Sequence, residues 1–128
     1  MGKILLIDDD TAFLKLIREY IEETYPNLDI LTCNDPVKCL TRITTDLDLL
    51  LVDLEMPGLD GSKILAYATS AGLNKNKVII VSGRDADYLH EKFPMGSCLA
   101  VLNKHDGKQK RVLDMVFKSL QQKSAAKA

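Results

Sequence analysis

Four short apolar runs in this chain end on residues able to do chemistry. Lys3-Ile4-Leu5-Leu6-Ile7 runs into Asp8-Asp9, and Asp48-Leu49-Leu50-Leu51-Val52 runs into Asp53. Val78-Ile79-Ile80-Val81 stops at Ser82, and Ala100-Val101-Leu102-Asn103 stops at Lys104. Three carboxylates, a hydroxyl and an ammonium brought to one place make a site for a divalent cation and a phosphoryl group. Carboxylate oxygens are the hard ligands that Mg2+ takes, at about 2.1 Å and with several waters retained. A carboxylate is also a nucleophile that can form an aspartyl-phosphate. Lysine supplies a point charge for phosphoryl oxygens, and serine a short hydrogen-bond donor. Without a cation the clustered acids repel one another.

Meeting in one place requires a particular arrangement of elements. Short apolar runs separated by helix-like stretches read as parallel strands buried on both faces. Functional groups of such a sheet collect beyond the carboxyl ends of its strands. Leu28 to Thr32 supplies a further short strand. Helical spacing appears over Thr11–Tyr25 (Leu14, Ile17, Ile21), with Asp10 or Thr11 as N-cap and Pro26-Asn27 as the stop. Asp35-Pro36 pairs an N-cap with a proline at the first helical position, and Val37, Leu40 and Ile43 are its expected buried stripe. Further helices are predicted over Ser62–Ala71, closed by Gly72, over Ala86–Phe93, and over about Lys108–Gln122. Five strand-then-helix units predict an α/β fold, a flavodoxin-like, doubly wound, five-stranded parallel sheet with five helices. In the order 2-1-3-4-5 the switch point lies between strands 1 and 3, the two that end in carboxylates.

Length and composition agree with one soluble domain over residues 3–122, followed by a tail, 123–128, read as frayed or cut from a linker. No apolar stretch reaches the ~20 residues needed to cross a bilayer, and no leader opens the chain, so a cytoplasmic protein without a membrane partner is expected. The net charge of −1 argues against direct nucleic-acid contact. That charge is uneven: from Lys104 onward seven Lys or Arg face two Asp, a local +5 against −6 before it. The basic end reads as a solvated helix face. Cys33, Cys39 and Cys98 are an odd number without a C-x-x-C pair, and all three are expected as buried free thiols. His90 and His105 read as surface residues; Tyr20, Tyr25, Tyr67 and Phe117 read as core or helix flanks.

The chain resembles the receiver domains of two-component response regulators. The resemblance rests on Ile4-Leu5-Leu6-Ile7-Asp8-Asp9-Asp10, on Leu51-Val52-Asp53-Leu54-Glu55-Met56-Pro57-Gly58-Leu59-Asp60-Gly61, on Val81-Ser82-Gly83 and on Lys104. It implies that Asp53 is the phosphoacceptor and that Asp8 and Asp9 serve Mg2+, or another divalent cation such as Mn2+, together with Asp53 and the backbone carbonyl of Glu55. It implies that Ser82 is the switch hydroxyl and that Lys104 contacts the phosphate. The implied donor is a sensor histidine kinase or a histidine phosphotransfer protein, and the implied recipient an output domain or effector. Such a domain hydrolyses its phosphate slowly and is not a dedicated turnover enzyme. The family's helix 4 to strand 5 face serves dimers and partners, so a homodimer is among the implied assemblies.

Three departures from the family pattern stand out. His105 follows the lysine where the family has proline on a cis peptide, and a cis bond before a non-proline residue costs ~3 kcal/mol. Val101 stands where many receivers carry Tyr or Phe, which removes signalling by rotation of an aromatic ring. Met95-Gly96-Ser97-Cys98-Leu99 holds one residue more than the common spacing. Glu55 and Arg84, each two places beyond a site residue and opposite in charge, are expected to pair across the mouth and slow the attacking water. The alternative to a phosphoacceptor is a receiver-like interaction module that is never phosphorylated. More remote is a haloacid-dehalogenase-type phosphatase, whose motif wants Thr or Val where Ala12 stands.

Overall fold

Alternation within each apolar run decides the architecture, because successive side chains of a strand point to opposite faces and both faces here must be covered. The computed structural model describes residues 2–104 and 107–127. Its strands are β1 (Gly2–Ile7), β2 (Leu28–Cys33), β3 (Leu49–Asp53), β4 (Val78–Ser82) and β5 (Ala100–Asn103), all parallel, in the order β2-β1-β3-β4-β5. The helices are α1 (Thr11–Thr24), α2 (Pro36–Cys39), α3 (Gly61–Ser70), α4 (Ala86–Lys92) and α5 (Lys108–Lys127). The expected flavodoxin-like fold and strand order are therefore present.

Leu5, Ile7, Leu50, Val52 and Ile80 face one layer, where Ile64 and Ala68 of α3 and Leu89 of α4 close over them. Ile4, Leu6, Leu49, Leu51, Ile79 and Val81 face the other, under Leu14 and Ile21 of α1 and Phe117 of α5. The register aligns the strand ends. Ile7 is level with Val52, Asp53 with Val81, and Ser82 with Asn103. Asp8, Asp53, Ser82 and Lys104 thus leave the sheet along one edge.

Three local expectations are corrected. Cys33 and Cys39 are joined in a disulfide, with Cα atoms 5.8 Å apart, and only Cys98 is a buried free thiol among the three. A six-residue separation is no recognised motif, but the turn from β2 into α2 brings Cys39 back to Cys33 at the end of β2. Val37 is exposed, not part of a buried stripe, while Cys39 is fully buried in its place. The reason is the shortness of α2. It has one turn, capped by the Asp35 side chain on the Val37 and Lys38 N–H groups, before a tighter 3-10 turn over Leu40–Arg42 changes the phase. Finally, α5 continues to Lys127, past the expected end near Gln122. No Gly or Pro interrupts that stretch, and Ala is the best helix former.

Candidate functional site

Asp53 is the last residue of β3 and only 5 % exposed; Asp8, directly after β1, is 3 % exposed. Asp9 beside it faces solvent. The three carboxylates each offer an oxygen within 4.8 Å of the others. Local bonds fix Asp8 firmly. Its backbone N–H donates to the Cys33 carbonyl (3.2 Å), and its Oδ1 accepts from the Asp10 N–H (2.9 Å). Asp10 in turn caps α1 by accepting from the Phe13 N–H (3.1 Å). The acidic run is thus both a helix start and one wall of the site.

Lys104 reaches in from the end of β5. Its Nζ lies 2.7 Å from Asp8 Oδ2 and 3.3 Å from Asp53 Oδ1, and 4.8 Å from the centroid of the Phe13 ring. Burial works to lower the lysine pKa, but the hydrogen bond that the ammonium donates to Asp8 and the charges of Asp53 and Asp8 prevail and raise it, so the ammonium persists. Asp53 is pushed up to about 7, first by burial and then by the charge of Asp8, against the opposing pull of Lys104. Both partners rise because the ammonium sits closer to Asp8 and only partly compensates Asp53. One ammonium does not balance three clustered acids. A divalent cation would, and oxygen donors at this spacing suit Mg2+ or Mn2+.

Ser82, fully buried at the end of β4, donates its hydroxyl proton to Glu55 Oε1 and accepts from the Arg84 N–H at 3.0 Å. Its carbonyl accepts from the Lys104 N–H at 2.7 Å, which ties β4 to the lysine. Glu55, exposed in the loop after β3, is therefore engaged with Ser82. The expected Glu55–Arg84 pair is not formed. The Arg84 guanidinium instead lies 4.0 Å over the Tyr88 ring of α4, where an exposed planar cation stacks at little cost in hydration. His90 is exposed as expected. His105 and the Lys104-His105 peptide lie outside the described residues.

Some contributors were not singled out from the sequence. Phe13, which covers the lysine, carried no signal beyond helical spacing. Gly61 did stand in the Asp53 motif, and the structure gives the reason for it. A Cβ there would meet the Asp53 carbonyl oxygen at 2.7 Å and the Leu54 Cα at 2.9 Å, so only glycine lets α3 start against the Asp53 backbone. The Gly61 N–H donates to the Leu54 carbonyl (2.9 Å), and the Asp60 side chain caps α3 on the Ser62 and Lys63 N–H groups.

Comparison with known proteins adds an independent line. The sequence model of the family described as "Response regulator receiver domain" matches residues 4–122. The transcriptional regulatory protein CpxR of Escherichia coli (strain K12) is 30% identical over 104 residues, 73% of this chain and 44% of CpxR. The chain therefore spans less than half the length of that curated relative. Among solved structures, the receiver domain of the Francisella response regulator 1452 superposes with a TM-score of 0.75 at 24% identity, covering 93% of this chain and 98% of that one. The response regulator TrrA of Thermotoga maritima, in complex with Mg2+-BeF, gives 0.72 at 20% identity over 91% and 99%.

Proposed function

This chain belongs to the response regulator receiver domain family, and from that premise we propose that it is a Mg2+-dependent phosphoacceptor whose acceptor is Asp53. The observation that carries this reading is the burial of Asp53 between Asp8, Asp9 and the Lys104 ammonium at the end of β3.

In the transfer, an Asp53 carboxylate oxygen attacks the phosphorus of a phosphohistidine. The new P–O bond forms as the P–N bond breaks, and the imidazole leaves with its electron pair. Asp8, Asp9, Asp53 and the Glu55 backbone carbonyl are the groups that would hold the cation. A bound divalent ion supplies neutralisation of the acceptor's charge and of the phosphoryl oxygens. Lys104 swings little, because its ammonium already stands at Asp53, and it takes a phosphoryl oxygen as a point charge. Asp53 must react as carboxylate, so the same charge neutralisation that admits the phosphoryl group also draws off a proton held up to about pH 7. Water later hydrolyses the acyl phosphate, slowly, so the domain acts as a timed switch and not as a turnover enzyme.

A receiver domain of this family implies a kinase partner and an output. We assign the donor to a sensor histidine kinase or a histidine phosphotransfer protein. We assign the output to a linked domain or a separate effector, and the α4–β5 face to homodimer formation. Among the described residues no helix is long and apolar enough to cross a membrane, and a cytoplasmic site of action is part of the proposal.

Incubation with acetyl phosphate and Mg2+ tests the reading by intact mass. One base-labile phosphoryl adduct is expected, absent from Asp53→Asn and absent when the cation is chelated. Labelling of Asp53→Asn at the wild-type rate would overturn it by placing the acceptor elsewhere, and a wild type that takes no label would favour a fold used only for interaction.

A further inference from the structure

The Ser82 hydroxyl has one proton to give, and in this structure that proton is committed to Glu55 Oε1. One of its two lone pairs is engaged as well, by the Arg84 N–H. Ser82 is fully buried, so it has no water to turn to, whereas Glu55 is exposed and solvates readily once released. The asymmetry matters. A phosphoryl oxygen on Asp53, beside the end of β4, can recruit the serine proton only by taking it from Glu55. An O–H bond to a carboxylate is charge-assisted and stronger than one to a neutral acceptor. We propose that Glu55 is a positioning residue that latches the Ser82 hydroxyl away from the phosphoryl group, so that phosphorylation at Asp53 must exchange one anionic acceptor for another. This rests on the phosphoacceptor reading of Asp53 and adds to it a residue that sets how far the phosphorylated state is favoured.

The latch assigns a defined origin to the bias of the unphosphorylated state. It lies in one side chain of the loop after β3 acting through one side chain at the end of β4, and Arg84 contributes through its backbone alone. The guanidinium on Tyr88 is spectator to this exchange.

A double-mutant cycle read by binding of beryllofluoride with Mg2+, measured by calorimetry or fluorine NMR, tests the latch. Loss of this charge-assisted hydrogen bond is expected to tighten binding about ten- to a hundredfold in Glu55→Ala, at about 1.4 kcal/mol for each factor of ten. Glu55→Gln keeps an acceptor oxygen for Ser82 without the charge and is expected to restore part of the wild-type weakness. In a Ser82→Ala background Glu55→Ala is expected to change nothing. Unchanged affinity for Glu55→Ala would overturn the latch. So would equal tightening in the Ser82→Ala background, because that is the mark of simple charge repulsion by Glu55. Failure of the wild type to bind beryllofluoride at all would instead overturn the phosphoacceptor reading, and the latch with it.

Discussion

Asp53 carries two burdens at the residue scale: the proposed phosphoacceptor role requires it to be buried away from water, and burial holds its proton. Its pKa is pushed to about 7 in the cation-free fold, above that of an unfolded aspartate. The sign of the consequence follows from linkage. The native state holds the proton more tightly, so this group's contribution to stability is fullest below about pH 4 and is lost as pH rises through about 7. Asp53→Asn cannot ionise and escapes that loss. In urea denaturation without divalent cations, the Asn variant is expected to gain on the wild type from about pH 4 to about pH 7 and to hold its lead above. A constant difference across that range would count against the raised pKa. The acidic residues of this site, and Lys104 and Ser82, were legible in the sequence because each ends an apolar run. The partner of Glu55 was not. Charge sign suggested Arg84, but a buried hydroxyl beside Glu55 had greater need of an acceptor than an exposed guanidinium had of a carboxylate.

Elements were legible where burial imposes a period and opaque where a single turn is decided by tertiary contact. All five strands could be read from their apolar runs. The phase of α2 could not, because a helix of one turn has too few residues to show a 3.6-residue pattern, and Cys39 displaced Val37 from the core. The disulfide formed by Cys39 links β2 to α2 and encloses a short loop. By loop-closure entropy such a crosslink stabilises by about 2 kcal/mol. Reduction, or Cys33→Ser with Cys39→Ser, is expected to lower the free energy of unfolding by about that amount, with the bond itself checked by peptide mapping under non-reducing conditions. Since the Cys33 carbonyl receives the Asp8 N–H, the loosening should also be felt at the acidic wall. Gly61 makes the complementary case on the other side. Gly61→Ala forces a methyl group into the backbone of Asp53 and Leu54, which must shift because neither contact is with a flexible side-chain end. Overpacking of this kind costs about 1–3 kcal/mol. The expected result is a lower melting temperature together with weaker beryllofluoride binding, the second arising from displacement of Asp53 itself.

Across the whole molecule, the parallel sheet is what converts scattered residues into one charged crevice, and it does so at an electrostatic cost. Segments far apart in sequence deliver Asp8, Asp9 and Asp53 to positions where their oxygens lie within 4.8 Å of one another, and Lys104 offsets only part of their charge. The unfolded chain has no such cluster. A cation that binds the cluster therefore binds the native state alone and must stabilise it, by RT ln(1 + [L]/Kd), or about 2.7 kcal/mol at a concentration of 100 Kd. Calorimetric melting in increasing MgCl2, at constant ionic strength to remove general screening, is expected to raise Tm with the logarithm of concentration beyond Kd, without a plateau. Asp9 is the informative residue to remove, because it is exposed and its loss leaves Asp8, Asp53 and their bonds to Lys104 in place. Asp9→Ala is expected to melt at or slightly above the wild-type temperature in chelator, since one repelling charge is gone, and to lose most of the Mg2+-dependent rise. Equal rises in wild type and variant would place the cation elsewhere on the surface. A wild type indifferent to millimolar Mg2+ would mean that the imbalance of the crevice is relieved by a proton on Asp53 and not by a metal.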